Sequence, residues 1–284
     1  MLLTHSSGDA YPRENFLISF VRAVGFFLFY YAVRTVIFNA AYLFFAVRYH
    51  DTELAQAAYL ERANMLSCAS GVCIIVLLLL FFVMQKKSVV SAFYIGKPSA
   101  LELVLCFVTG ISLNFTTSFV ISRLPEKLLN SYAEAAGDLA KGSLLWYILA
   151  TVVMAPILEE LIFRAMMISR FSTATGNAIA IVLASAVFGA VHGHIVWSTY
   201  AFILGLLLGF VFVRLRSLAA SITFHVGFNC VALISRLAPS TKNVHDIFSL
   251  LQMISVAISL ILLFILIKKT AARASRIPVG IKEI

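Results

Sequence analysis

Apolar residues occur in long runs that are separated by short polar segments along the whole chain. Runs of about 18 or more apolar residues are long enough to cross a bilayer as an α-helix. The plainest of these runs is 64–85. Its centre, 74–82, is uninterrupted by any polar residue, and the run ends at Lys86 and Lys87. The pattern therefore predicts an all-α polytopic membrane protein with about eight transmembrane helices. These spans are expected at about 16–47, 64–85, 99–121, 143–169, 177–193, 196–214, 218–236 and 247–267.

The composition excludes a soluble globular protein. The 284 residues are 61% hydrophobic and only 12% charged, with a mean hydropathy of +0.97, and such values are typical of membrane proteins. A net charge of +9 would suggest a nucleic-acid partner in a soluble protein. Here the charges lie mostly in loops and at helix ends, where they set orientation, so the expected partner is the lipid bilayer and no nucleic acid.

Charge also predicts how the chain is organised. Lysine and arginine are more frequent in the segments on the membrane side that contains both termini than in the loops on the other side. By the positive-inside rule, both termini are therefore expected in the cytoplasm. No repeat or second soluble domain is visible, so 1–284 is predicted to be a single transmembrane domain. Its basic C-terminal tail, 268–284, is expected to contact anionic lipid headgroups. The amphipathic loop 122–142 fits either a short helix on the membrane surface or an ordinary solvated loop.

The chemistry of the chain is concentrated in an apolar stretch at 151–164. It carries Glu159, Glu160 and Arg164, and ionisable groups inside a membrane are costly and usually functional. Glu160 and Arg164 are four residues apart and can pair on one helix face. Glu159 points about 100° away, so it can face a cavity and serve as a base. A buried ion pair alone would explain Glu160 and Arg164 but not Glu159.

Two later spans carry further polar residues. Phe188 and His192 share one helix face, and so do His225 and Asn229. A single intramembrane histidine more often makes a hydrogen bond between helices, but two histidines, an asparagine and an acidic pair exceed what an apolar core needs. Counted along their helices, Glu159 and His192 come out at nearly the same depth. One intramembrane site is therefore expected.

These residues form three motifs in order on three apolar spans. They are E-E-x-x-x-R (Glu159, Glu160, Arg164), F-x-x-x-H (Phe188, His192) and H-x-x-x-N (His225, Asn229). In this order they resemble the CAAX-protease and bacteriocin-processing (CPBP) family of intramembrane endopeptidases. The resemblance covers about 143–235, whereas 1–120 is similar only in being hydrophobic.

The resemblance implies an enzyme that hydrolyses a peptide bond of a membrane-associated protein or peptide precursor, with a catalytic core at about 143–236. Glu159 would activate a water molecule that His192 helps to hold, and His225 and Asn229 would donate hydrogen bonds to the oxyanion. Glu160 would support the site with Arg164 and Phe188, although spacing alone also allows the two glutamates to exchange roles.

The resemblance leaves the cofactor and the activity open. Glu159, His192 and His225 could hold a divalent metal such as zinc, as in a metalloprotease, and a metal-free glutamate mechanism uses the same residues equally well. The alternative function is a catalytically silent relative that acts as a bacteriocin-immunity or membrane scaffold protein. The expected location is the plasma membrane of a bacterium, as an integral multi-pass protein.

Overall fold

The computed structural model describes residues 15–86, 97–237 and 241–274, and within these ranges the regular structure is entirely helical. The nine helices of these ranges are α1 (Phe16–Tyr49), α2 (Thr52–Met84), α3 (Ala100–Ile121), α4 (Glu126–Leu139), α5 (Leu144–Thr175), α6 (Asn177–Ala190), α7 (Ile195–Leu215), α8 (Leu218–Leu237) and α9 (Lys242–Ala274). The predicted all-α polytopic fold is confirmed. Six helices are long and apolar enough to cross a membrane, namely α1, α2, α3, α5, α7 and most of α9.

The remaining two predicted spans correspond to α6 and to the apolar segment Leu218–Ile234 of α8, and both are shorter than this length. At about 1.5 Å per residue, the 14 residues of α6 extend only about 21 Å, which is less than a hydrocarbon core of about 30 Å. The predicted span 177–193 is therefore too long, because α6 ends at Ala190. His192 follows the helix instead of lying inside it, and Gly193 turns the chain with a positive φ of 73°.

Several helices differ in length from the predicted spans. Helix α2 begins at Thr52, about three turns before the predicted start near 64, because Asp51 caps it by accepting a hydrogen bond from the amide of Leu54 at 2.9 Å. The segment 122–142 contains helix α4, which has no fully buried residue. Helix α9 takes in the first part of the predicted basic tail, whereas 275–284 lie outside the described residues.

Helix α5 positions the acidic pair at its centre. The helix spans 32 residues from Leu144 to Thr175, longer at its C-terminal end than the predicted 143–169. Glu159 and Glu160 are consequently its two middle residues. Two segments of α5, Ile148–Met154 and Glu160–Ile168, are π-helical. Such widened turns are rare and occur frequently at functional sites.

Helix α1 lies antiparallel along α5. The Ser19 hydroxyl is 3.1 Å from that of Thr173, the Phe20 and Phe171 rings are 6.1 Å apart, and the Phe27 and Phe163 rings are 6.2 Å apart. Residue numbers rise along α1 as they fall along α5. This register brings the part of α1 just after Phe27 to the level of the glutamates.

Helices α3 and α8 approach each other most closely at two glycines. A Cβ atom on Gly110 would lie 2.1 Å from the carbonyl oxygen of Phe224, and one on Gly227 would lie 2.2 Å from that of Phe107. Both contacts are with backbone, so neither can be relieved by moving a side chain. Since Phe224 and Gly227 flank His225, this contact sets the distance of His225 from the rest of the bundle.

Candidate active site

Glu160 is the centre of a fully buried polar network. Its carboxylate forms an ion pair with the Nε atom of Arg164 at 3.0 Å and accepts a hydrogen bond from Nδ1 of His225 at 2.9 Å. The Ser221 hydroxyl donates a further hydrogen bond to the same carboxylate. Glu160 and Arg164 are wholly inaccessible to solvent. Three partners therefore hold Glu160 in place and offset the cost of burying its charge.

Glu159 has a different environment although it is the adjacent residue. Its side chain is 20% exposed, and one carboxylate oxygen lies 3.7 Å from Nε2 of His225. This distance is longer than a hydrogen bond and leaves room for the oxygen to take another partner. The two glutamates thus lie next to opposite nitrogens of the His225 ring. Glu160 contacts Nδ1 from the buried side, and Glu159 lies near Nε2 on the partly exposed side.

The ring of Phe188 lies between the two histidines. Its centroid is 4.8 Å from that of His192 and 6.0 Å from that of His225, and the guanidinium of Arg164 lies 4.8 Å from the same centroid. The ring is buried, so it forms a rigid apolar wall. Phe188 therefore connects the E-E-x-x-x-R motif to both histidine motifs.

His192 is oriented by the backbone of its own segment. Its Nδ1 atom is 2.6 Å from the carbonyl oxygen of Phe188. Because a carbonyl oxygen can only accept, Nδ1 carries a proton, and neutral His192 has an unprotonated Nε2. His192 is thus suited to accept a hydrogen bond from a water molecule through Nε2.

Asn229 is held against α5. Its side-chain amide donates a hydrogen bond to the carbonyl oxygen of Thr151 at 2.8 Å, and Thr151 lies in the first π-helical segment of α5. One of the two amide protons of Asn229 is used in this bond. The second has no acceptor among the described residues, so the bond fixes the orientation of the amide and leaves one proton unused.

Sequence reasoning did not identify Ser221 or Thr151. Ser221 precedes His225 by four residues, as His225 precedes Asn229, so one face of α8 carries S-x-x-x-H-x-x-x-N. That spacing is a signal that could have identified Ser221. Thr151 acts through its carbonyl oxygen, which no sequence motif encodes.

A tyrosine from α7 also packs against α8 close to the site. The Tyr200 ring is 6.1 Å from that of Phe228, the neighbour of Asn229. Tyr200 belongs to no motif.

The candidate metal ligands do not form a ligand set. Among the residues that the structure describes, no three histidine, cysteine, aspartate or glutamate side chains are grouped so that they could hold a metal ion. The set predicted for zinc was Glu159, His192 and His225. A catalytic zinc site usually needs three such ligands around one point, so these residues as arranged do not fit one.

The fold and the site together define an integral multi-pass membrane protein with a polar cluster halfway along a membrane helix. Residues 141–231 match the sequence profile of a family described as type II CAAX prenyl endopeptidase, Rce1-like. The match confirms the resemblance of this part of the chain to the CPBP family and supports a CAAX-type intramembrane endopeptidase in general. No curated protein and no solved structure gives a significant match.

Proposed function

We propose that this protein is an intramembrane endopeptidase in which Glu159 activates the water that hydrolyses the peptide bond. The observation that carries the proposal is the contrast between the two glutamates. Glu160 is saturated by Arg164, His225 and Ser221, whereas Glu159 is partly exposed at the same imidazole. A general base must reach its proton directly or through one water, and of the two only Glu159 is accessible.

In the proposed reaction, a water molecule lies between Glu159 and Nε2 of His192. Glu159 takes one proton as the water oxygen attacks the carbonyl carbon of the substrate. The C–N bond then breaks, and the same proton passes from Glu159 to the departing amine nitrogen. A carboxyl and an amino terminus result, and Glu159 returns to its ionised form for the next cycle.

His225 and Asn229 are proposed to stabilise the oxyanion. Nδ1 of His225 donates to the ionised Glu160, so a second proton on Nε2 would make the ring an imidazolium that Glu160 stabilises. The charges of Glu159, Glu160, Arg164 and His225 then sum to zero, as a low-dielectric site requires. The proton on Nε2 and the free amide proton of Asn229 are the proposed donors to the oxyanion.

The proposed substrate is a membrane-associated protein or peptide precursor. The support is the family match and the position of Glu159 at the middle of a membrane-length helix. A peptide bond at that depth belongs to a substrate that is itself embedded in, or anchored to, the bilayer.

The test uses the full chain in lipid nanodiscs with pools of degenerate apolar peptides. New amino termini are detected by mass spectrometry. Glu159→Gln is expected to lower cleavage by about 10²–10⁴-fold, the usual contribution of a general base, with an unchanged melting temperature. Glu134→Gln, at an exposed carboxylate on α4, is the control and should cleave normally. Full activity of Glu159→Gln would contradict the proposal.

A further inference from the structure

The site is closed toward one end of α5 and partly open toward the other. All nine residues of the second π-helical segment, Glu160–Ile168, are buried, so α5 is closed in the direction of its C-terminus. In the other direction Thr151, Ala155 and Glu159 follow one another at intervals of four residues, and each is half-buried. A partly open face therefore leads from Glu159 toward the Leu144 end of α5, and a substrate is expected to approach from that end.

Helix α4 lies at that end of α5 and is anchored there through its C-terminus. The side-chain amide of Asn64 in α2 donates hydrogen bonds to the carbonyl oxygens of Leu139 and Lys141, each at 3.0 Å. Arg236 in α8 donates to the carbonyl oxygen of Gly142 at 3.2 Å. These three bonds attach the segment between α4 and α5 to α2 and α8.

The middle of α4 is held against the start of α7. The hydroxyl of Ser131 is 3.1 Å from Nε2 of His194. The ring of Tyr132 is 5.6 Å from that of Trp197 and 6.5 Å from that of Tyr200. These five residues form a latch between the two helices.

The polar part of the latch has a donor for every acceptor. Nδ1 of His194 accepts a hydrogen bond from the amide of Val196 at 3.3 Å, so the neutral ring carries its proton on Nε2. This proton is donated to the hydroxyl of Ser131, which in turn donates to the carbonyl oxygen of Leu128 at 3.1 Å. The latch is therefore a defined contact and not a chance approach of two side chains.

The latch brings α4 across the open end of the site. His194 follows His192 by two residues, in the turn between α6 and α7. The ring of Tyr200 is 6.1 Å from that of Phe228, which precedes Asn229 in α8. Helix α4 is thus anchored to α2 and α8 at one end and contacts the neighbours of both His192 and Asn229 through its middle.

Helix α4 is held in this position by little besides these contacts. None of its residues is fully buried, and no side chain caps its first turn at Pro125. Gly137 in its interior also weakens the helix, because glycine has a low helix propensity. Segments with little buried apolar surface open at a low cost in free energy and are those that move during function. The latch is the contact that must break before α4 can move away from α7.

We propose that α4 is a lid over the open end of the site, which releases the latch to admit a peptide substrate and closes again over it. This inference rests on the proposed function and deepens it, because it names what controls access to Glu159. The bonds from Asn64 and Arg236 keep the C-terminal end of the lid attached while the rest moves. Closure of such a lid separates the reaction from bulk water.

The first experiment locks the lid in the full chain in nanodiscs. Ser131→Cys and His194→Cys are combined in a chain whose four native cysteines are replaced by alanine, and a short bis-methanethiosulfonate reagent joins the two thiols. Cleavage of the degenerate apolar peptide pools is expected to fall at least about tenfold after cross-linking, because opening precedes binding, and to return on reduction. Each single cysteine variant, treated with the same reagent, is the control and should remain active.

The second experiment weakens the latch. Tyr132→Ala removes the ring contacts with α7, so the open form is more populated, and KM is expected to fall about threefold to tenfold with kcat nearly unchanged. Tyr132→Phe keeps the ring and should cleave like the wild type. Tyr42→Ala is the matched control, because it removes a tyrosine ring that lies 5.6 Å from that of Tyr59, between α1 and α2. It should leave KM unchanged.

Hydrogen exchange gives a readout that does not depend on cleavage. The amides of α4 are expected to exchange faster in Tyr132→Ala than in the wild type or Tyr132→Phe, while those of Glu160–Ile168 in α5 exchange as before. Faster exchange in both helices would show that Tyr132 supports the bundle as a whole, and it would overturn the lid.

Each contrary outcome overturns a distinct claim. Full activity of the cross-linked protein would overturn the lid and leave the endopeptidase intact. A fall in kcat without a fall in KM in Tyr132→Ala would show that the latch supports the geometry of the site, which would also overturn the inference. No cleavage of any pool by the wild type would contradict the proposed function, and the inference with it. The tests on Tyr132 stand even if the double cysteine variant fails to fold.

Discussion

At the midpoint of α5, one side of the helix is closed to solvent and the other is partly open to it. On one side Glu160 lies in a closed network with Arg164, Ser221 and His225, all within a region from which solvent is excluded. On the other side the carboxylate of Glu159 is partly exposed, and one of its oxygens lies 3.7 Å from Nε2 of His225. Two identical side chains, adjacent in sequence, thus occupy a structural site and an accessible one.

This contrast shows how a membrane protein can keep a partly exposed carboxylate in an apolar layer. A buried ion pair is not a source of net stability by itself, since removing two charges from water costs as much as their attraction returns. Its value here is geometric, because Glu160 fixes one nitrogen of His225. The other nitrogen then faces Glu159 in a defined orientation. The buried network around Glu160 therefore fixes the position of the imidazole relative to Glu159.

The largest effect is expected from removing the charge of Glu160 in the buried network. Glu160→Gln leaves the Arg164 guanidinium buried without a counter-charge, and removing one partner of a buried pair typically costs about 3–5 kcal/mol. We expect a markedly lower melting temperature in nanodiscs and loss of the folded protein at moderate temperature. Glu159→Gln, one residue away, should melt like the wild type.

A double variant checks the cause of that loss. In Glu160→Gln combined with Arg164→Met no unpaired charge remains, so much of the stability should return while activity does not. If Glu160→Gln melts at the wild-type temperature, the sealed network is not structural and the contrast between the two glutamates fails.

The second effect tests the contact that positions the shared imidazole. A methyl group on Gly110 would meet the backbone of Phe224 at 2.1 Å, and forcing α3 and α8 apart should cost about 3 kcal/mol, at the upper end for overpacked sites. Gly110→Ala is therefore expected to lower both the melting temperature and the activity. Gly25→Ala is the matched control, because its added methyl group would contact nothing within 4 Å. Equal effects of the two substitutions would contradict this role of the glycine contact.

Part of this arrangement could be predicted from the sequence. Length and hydropathy predict membrane helices because the bilayer imposes one minimum length on all of them. The pairing of Glu160 with Arg164 follows from their spacing of four residues on a helix. The motif residues were also expected to share one site, and Phe188 does connect His192 with His225 and Arg164.

Other features depend on how helices pack, which hydrophobic periodicity does not encode. The difference in environment between Glu159 and Glu160 follows from α8, whose Ser221 and His225 both contact Glu160. The packing of Phe27 on Phe163 follows from the antiparallel register of α1 and α5. The end of α6 before His192 also differs from the prediction, because the apolar run continues past Ala190 while the backbone turns at Gly193.

A smaller effect is expected from Ser221→Ala. The hydroxyl donates to the ionised Glu160 and is buried, and a hydrogen bond to a charged group contributes about 2 kcal/mol. The loss should appear as lower stability together with reduced kcat, since His225 is oriented through Glu160. Ser221→Thr keeps the hydroxyl and should retain more of both. Ser185→Ala, at a buried serine whose hydroxyl lacks a partner in the described residues, should be nearly neutral, and a similar loss there would contradict the assigned role.

The smallest expected effect concerns metal removal, and it addresses the accessible side directly. Zinc at this site would need Glu159, His192 and His225 around one point, yet these side chains are not grouped in that way. Nδ1 of His225 is also directed at Glu160 at 2.9 Å. Incubation with EDTA or 1,10-phenanthroline is therefore expected to leave peptide cleavage unchanged. Loss of activity that zinc restores would contradict this prediction. It would mean that Glu159, His192 and His225 converge on a metal ion when substrate binds. The buried network around Glu160 would then orient His225 as a metal ligand.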